Sequence, residues 1–242
     1  MSSYNLKRLL QPKSIALFGG LWIENVANQI KNSNFKGNVW PINPHRKSIA
    51  GYKCFQDISD LPGVPDTAFI GVNRTKTLEI LIKLNEVGCG GATCFAAGFS
   101  EVDKYGKQLQ KKLSKASKDM PFLGPNCYGY INYLDHIHMW PDQHGGKEVE
   151  KGVAIIAQSS NIAINLTMNT RSTPIAYVLT TGNQAKIDMS DLGLAMINDK
   201  RVTAIGIYIE GFKDIKKFEK MAFSALRSNI PIVVLKSGKT DL

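Results

Sequence analysis

Eight short runs rich in β-branched and aromatic residues recur along the chain, at 14–18, 38–42, 66–72, 91–96, 153–157, 175–180, 203–209 and 230–235. Stretches of helical periodicity follow most of them, which predicts helices over 24–34, 75–87, 101–118, 161–171, 189–198 and 215–228. Strand–helix alternation of this kind requires parallel strands joined by right-handed crossovers, so the fold class is α/β with both faces of each sheet covered. The alternation breaks once. Between 129 and 151 the chain is first aromatic, then polar with a Gly145-Gly146 pair, and reads as a connector. The expected organisation is a first α/β domain over 1–128, a linker over 129–151 and a second α/β domain over 152–242.

Composition removes several function classes. Hydrophobic residues make up 43% and charged residues 21% of the 242, a globular balance rather than a disordered one. No apolar run reaches the roughly 18–20 residues that a membrane-spanning helix needs. The stretch 14–23 loosely resembles a signal-peptide core, but two central glycines followed by Glu24 and Asn25 fit a strand, a turn and a helix start better. Four cysteines (Cys54, Cys89, Cys94, Cys127) form no CxxC pair, which argues for a reducing compartment, and the cytoplasm is expected. The net charge of +10 raises nucleic-acid binding. Its densest cluster, Lys104 to Lys118, lies mostly on one helical face opposite Leu109, Leu113, Ala116 and Met120, so it reads as a solvated face without an aromatic platform. An anionic small ligand is the better use of the charge.

Candidate residues gather where strands run into helices, at the edge where open α/β sheets bind ligands. Gly19 and Gly20 follow the first strand and can bring backbone close to a phosphate, or simply make a tight turn. The second strand ends in Asn43, Pro44, His45, Arg46 and Lys47. No acid stands there to hold ribose hydroxyls, so NADP or a phosphorylated adenosine such as coenzyme A fits better than NAD. Val72 and Asn73 end the third strand, and Ala97, Gly98 and Ser100 the fourth, with Ser100 and Asp103 also readable as a helix cap. Gly124-Pro125-Asn126-Cys127 fixes a backbone shape more than it supplies reactive groups, and Cys127 reads as an inert buried thiol. In the second half, Ser159, Ser160 and Asn161 open a helix and can cap it or hold phosphate oxygens; Gly182 repeats the strand-then-glycine pattern. Glu210 follows the strand IGIYI at a position where folding needs no acid. The His136/His138 pair lacks the neighbours of a metal motif, and no metal site is expected.

In order, the segments LLQPKSIALFGG, FKGNVWPINPHRKSIAGYKCF, AAGFSE, LGPNCYGYIN, VAIIAQSSNIA, TTGNQAKIDMSDL and PIVVLKSGK resemble the nucleoside-diphosphate-forming acyl-CoA synthetase superfamily. The resemblance covers essentially the whole chain. It implies a Rossmann-like CoA-binding domain followed by a flavodoxin-like, succinyl-CoA-synthetase-type domain, both with parallel sheets. It implies CoA against Gly19, Gly20, Asn43, Pro44, Arg46, Lys47, Val72, Asn73, Ala97, Gly98, Ser100, Asn126 and Cys127, and phosphate at Ser159, Ser160, Asn161 and Gly182. Glu210 matches the acid that supports the family's phosphorylated histidine. The implied reaction joins a small carboxylic acid to CoA with ADP formation, through an acyl phosphate. ATP/ADP and Mg enter only through an ATP-grasp domain or subunit, the implied partner. Two departures stand out: Leu21-Trp22 replaces the family's small residue and Pro-Gly pair, and the phosphorylated histidine would lie beyond the LKSGK segment, past Leu242. The expectation is therefore a CoA- and phosphate-binding portion of such an enzyme, inactive alone. The rival reading is a non-catalytic CoA or NADP(H) sensor or regulatory module.

Overall fold

The computed structural model describes residues 4–169 and 172–238. The end of the helix expected to reach 171, and the last residues of the KSGKTDL tail, lie outside them. In chain order the elements are α1 (Lys7–Leu10), β1 (Ser14–Gly19), α2 (Leu21–Asn32), β2 (Asn38–Ile42), β3 (Ser48–Ile49), β4 (Tyr52–Lys53), β5 (Thr67–Gly71), α3 (Arg74–Glu86), β6 (Ala92–Cys94), α4 (Lys104–Ala116) and β7 (Phe122–Leu123). The second half adds β8 (Tyr130–Asn132), β9 (Ile137–Met139), β10 (Gly152–Ala157), α5 (Ser160–Thr167), β11 (Ile175–Thr180), α6 (Met189–Asn198), β12 (Val202–Ile209), α7 (Ile215–Arg227) and β13 (Ile232–Lys236).

The first sheet has the order β2-β1-β5-β6-β7 and is parallel throughout. Its inner strand β1 buries Ser14 through Phe18 on both faces, which is why the stretch is a continuous apolar run and why the signal-peptide likeness has no bearing on it. The second sheet has the order β13-β12-β10-β11-β8-β9. Its first four strands are parallel, but β8 pairs antiparallel with β11 and β9 antiparallel with β8. The expectation of two purely parallel sheets is corrected at this edge, and the stretch read as a connector carries a hairpin. The reason is chemical: the Tyr130 hydroxyl donates to the Leu9 carbonyl, Asn132 Nδ2 donates to the Leu10 carbonyl at 3.0 Å, and Ser33 Oγ donates to the His136 carbonyl at 2.6 Å. Polar side chains thus satisfy helix-end carbonyls of α1 and carry the second sheet onto the first domain.

A single acid anchors the start of the chain. Asp66 Oδ1 accepts from Arg8 Nε at 2.7 Å and its Oδ2 from the Lys13 amide at 2.8 Å. Replacing Asp66 with Ala leaves the Lys13 amide without this acceptor, and thermal denaturation is expected to show a loss of about 1–2 kcal/mol.

Candidate functional site

In each sheet the chain leaves one strand for a neighbour on one side and returns on the other, creating a crevice at the carboxyl ends of the two central strands. In the first sheet that point lies between β1 and β5, where Gly19 and Gly71 are in register. Gly19 has φ +142° there, and a Cβ would stand 2.5 Å from the Gly71 carbonyl oxygen, so only glycine closes this turn. Asn43 Nδ2 donates to the Gly19 carbonyl at 2.7 Å while its Oδ1 accepts from the His45 amide at 2.9 Å, tying the β2 turn to the glycine turn. Together they border a cavity of about 350 Å³ with an apolar floor of Phe18, Ile42, Ile58 and Ile80; Gly20, Pro44, Val72 and Asp57 also line it.

The remaining residues of this edge have specific local tasks. Arg46 forms an exposed ion pair with Glu24 at 2.6 Å, and neither Arg46 nor Lys47 lines the cavity. The Asn73 side chain caps α3 by accepting from the Lys76 amide at 3.0 Å. Gly98 takes φ +96°, with Arg74 Nη1 donating to its carbonyl at 2.5 Å. The Glu101 carboxylate accepts from the amides of Gly98 at 2.6 Å and Phe99 at 3.2 Å. Burial raises the pKa of Glu101, but the hydrogen bonds from Asn183 and from these amides outweigh it and hold the carboxyl below the ordinary glutamate range. The Ser100 amide donates to Gln110 at 3.3 Å, Ala97 is exposed, and α4 is capped by Asp103, not Ser100. Helix capping here came from the acid three residues further on, so the helix starts at Lys104 rather than at 101.

The second sheet turns between β10 and β12, whose carboxyl ends carry Ser159 and Glu210. A polar cavity of about 280 Å³ opens there, lined by Asn126, Tyr128, Gln158, Ser159, Ser160, Asn161 and Glu210. Ser159 occupies the N-cap position of α5 without a capping side-chain hydrogen bond, and the first-turn amides favour an anion. Gln158 Oε1 accepts from the amides of Glu210 and Gly211, both at 3.0 Å, which locks the Glu210 loop beside the α5 N-terminus. The sequence marks Gln158 only as the first residue of the helix-opening stretch 158–161 and gives no sign of Tyr128, whose type at that position does not signal a site.

Two other sequence candidates serve as joints behind this cavity. Cys127 is buried, hydrogen-bonds through Sγ to the Thr180 carbonyl at 3.1 Å, and burial pushes its thiol up to about 11. Gly182, at φ +52°, lies against the Pro125 and Asn126 carbonyl oxygens, where a Cβ would come within 2.3 and 2.4 Å. The Asn183 amide donates to the Pro125 carbonyl at 2.9 Å and Asn183 Nδ2 to Glu101 Oε2 at 2.5 Å. The carboxyl edges of the two sheets therefore face each other, and Asn126 belongs to both. His136, His138 and His144 sit on and after the β8–β9 hairpin and line neither cavity. A larger cavity of about 610 Å³ between α1 and α6 includes none of the candidate residues.

Two crevices at the carboxyl ends of parallel strands, one with a glycine turn and the other with a helix N-terminus beside an acid, lie where open α/β sheets bind ligands. Residues 13–133, half of the chain, match the model of the CoA binding domain, and residues 150–242 match the succinyl-CoA ligase like flavodoxin domain. The chain belongs to the CoA-binding family and has the domain order of the nucleoside-diphosphate-forming acyl-CoA synthetases. It is 33% identical over 247 residues to an acetate–CoA ligase (ADP-forming) of Methanocaldococcus jannaschii, covering 99% of this chain and 34% of that protein. It is 29% identical to the α subunit of the acetate–CoA ligase (ADP-forming) II of Pyrococcus furiosus, covering 98% of this chain and 52% of the subunit. The structure of the Ca. Korarchaeum cryptofilum dinucleotide forming acetyl-coenzyme A synthetase 1 in complex with phosphate and ADP superposes with a TM-score of 0.86 at 30% identity, covering 98% of this chain and 52% of that one. The chain thus spans about a third to a half of the length of these relatives.

Proposed function

We propose that this chain is the CoA- and phosphate-binding portion of an ADP-forming acyl-CoA synthetase acting on a carboxylic acid. The observation that carries the reading is the position of Asn126 on the seam: its amide donates to the Ala96 carbonyl at the first sheet's edge at 2.9 Å, its carbonyl oxygen lies against Gly182 of the second, and it lines the polar pocket of Ser159 and Glu210. CoA lies with its adenosine end over the Phe18–Ile42–Ile58 floor, passes the Gly19–Gly20 turn and the 97–100 loop, and brings its sulfur toward Asn126. There the thiol attacks the carbonyl carbon of an acyl phosphate; the C–S bond forms, the C–O bond to phosphate breaks, and free phosphate leaves. Ser159, Ser160, Asn161 and the first-turn amides of α5 take up the charge of the departing phosphate. Glu210, held by Gln158, faces the same pocket as a positioning acid for the group that delivers the phosphoryl to the carboxylic acid beforehand. We assign the nucleotide step, with ATP/ADP and Mg, to an ATP-grasp domain or subunit, since the relatives are longer than this chain. No described helix is long and apolar enough to cross a membrane, and all four cysteines are free, which supports the cytoplasm as the compartment.

The test is a thermal-shift series on the 242-residue chain with CoA, dephospho-CoA, NADPH and NADH. A ligand at 100 times its Kd stabilises by about 2.7 kcal/mol, or roughly 5–10 °C for a chain of this size. The expected result is a CoA shift that shrinks with dephospho-CoA and shrinks again when Arg46 is replaced by Ala. A shift with NADPH alone, or none with CoA, would sink the synthetase reading in favour of a sensor.

A further inference from the structure

The wall that α3 gives to the first cavity carries an ordered set of charges. Lys76, Glu79, Ile80 and Lys83 line it, a stripe at i, i+3, i+4 and i+7 on one face of the helix. α3 starts just past the carboxyl end of β5, whose Gly71 is in register with Gly19. Lys76 therefore stands nearest the glycine turn, and Lys83 lies about 10 Å further along the helix axis. Asp57 neutralises Lys83 there, Nζ to Oδ2 at 2.7 Å. Arg46 is paired with Glu24 outside the cavity, and Arg74 is held by the Gly98 carbonyl and by the Tyr105 ring, whose centre is 5.0 Å from the guanidinium carbon. Lys76 has no such partner. Among the described residues its ammonium makes no ion pair and no hydrogen bond.

Nothing in the local fold accounts for a cation at this position. The first turn of α3 contains no acid, and the positive end of a helix disfavours a lysine. The Asn73 cap uses the backbone amide of residue 76 and not its side chain. We infer that Lys76 binds the 5′-diphosphate of CoA, a task outside the set of positions that the resemblance assigns to the cofactor. The inference rests on the CoA reading above and fixes which way the ligand lies in the cavity. From the glycine turn inward the α3 wall presents a free cation, then an acid, then a neutralised pair. A ligand that fills it places its negative charge at Lys76 and its hydroxyl and amino donors at Glu79, the order in which CoA carries its diphosphate and its adenosine. Gly19, Gly20, Leu21 and Trp22 bring no charge of their own to the turn, so the cation comes from across the cavity.

The experiment is equilibrium binding of CoA and dephospho-CoA to the full chain and to its Lys76→Met, Lys76→Arg, Arg46→Ala and Lys112→Met variants. Methionine keeps the length of the side chain and removes the charge, and Lys76 is exposed, so the variant keeps the parent melting temperature. Lys112, on the basic face of α4 and away from this cavity, controls for net charge. Lys76→Met is expected to weaken both ligands equally and about tenfold, since both carry the diphosphate; this corresponds to about 1.4 kcal/mol. Arg46→Ala is expected to weaken CoA alone, and Lys112→Met should change neither by more than about twofold. Lys76→Arg should hold both within about threefold of the parent. A Lys76→Met chain that loses CoA affinity but keeps that for dephospho-CoA overturns the inference and moves the lysine to the 3′-phosphate. So does an unchanged affinity for both ligands, or a loss no larger than that of Lys112→Met; in each of these cases the CoA reading stands. Failure of the parent chain to bind either ligand removes that reading, and the inference with it.

Discussion

Replacing Gly19 with Ala is expected to abolish CoA binding and to destabilise the chain by about 3 kcal/mol, whereas replacing Gly20 with Ala leaves stability within about 0.5 kcal/mol. The two glycines are neighbours in sequence and differ entirely in surroundings. At Gly19 a new methyl group would lie 2.5 Å from the Gly71 carbonyl oxygen and 3.4 Å from Ile23, on a backbone with φ +142°. At Gly20 no heavy atom lies within 4 Å of the position, and the residue serves as the N-cap of α2 at φ −126°. To accept Ala at 19, β1 and β5 must part at their carboxyl ends, and that is where the floor of the first cavity begins. Thermal melts of both variants, each with and without CoA, check the result. A Gly19→Ala chain that melts within 2 °C of the parent and shifts normally with CoA would contradict it.

The second large effect is an acid sensitivity that begins well above the carboxylate range. His138 is buried on β9, where its Nδ1 meets His144 Nε2 at 3.2 Å and the His144 Nδ1 meets the Tyr133 hydroxyl at 3.0 Å. Burial, followed by the neighbouring charges of His144 and His136, pushes the His138 imidazole down to about 3, and burial also lowers His144. His136 and Glu148 sit 3.4 Å apart at the rim of this group. The folded chain therefore holds His138 neutral, while the unfolded chain protonates it at about 6.5. Stability is complete above that value and falls as the pH drops below it, with a slope of about 1.4 kcal/mol per pH unit down to the folded value. Between pH 7 and pH 5 the loss from His138 alone is about 2 kcal/mol, or roughly 4–8 °C in melting temperature. His138→Asn keeps a side-chain nitrogen in reach of His144 and removes the titration. Its melting temperature should be flatter over that interval, and an unchanged pH dependence would show that the imidazole is protonated in the folded state.

The strand–helix skeleton was legible because its central strands are buried on both faces. Ile175–Thr180, buried throughout, is bounded in the structure where its β-branched residues and turns bound it in the sequence, and so is the edge strand Asn38–Ile42, which is only partly buried. The β8–β9 hairpin was not legible. Tyr130, Ile131 and Asn132 are all buried, so the period-two alternation that marks a half-exposed hairpin is absent, and three residues are too few to read otherwise. Its turn is made by His136 at φ +59°, where Asn, Asp or Gly is the readable signal. At the site, the sequence marked Ser159 and Glu210 but not their meeting with Asn126 and Tyr128, because no local pattern carries the distance between two sheet edges. Arg46 was marked for its charge and by the resemblance, and the ion pair with Glu24, on the facing helix, is a tertiary fact.

The seam between the two halves governs how any ligand gets in. Ala185 donates its amide to the Gly124 carbonyl at 2.9 Å, Asn183 does the same to Pro125, and Ser114 Oγ reaches the Ala185 carbonyl at 3.1 Å. Many two-lobed proteins capture ligands by swinging about a hinge, and such a swing here would have to break these bonds in one step. On the function proposed above, CoA would instead thread in from the outer rim toward Asn126, with little reorganisation left to oppose its association.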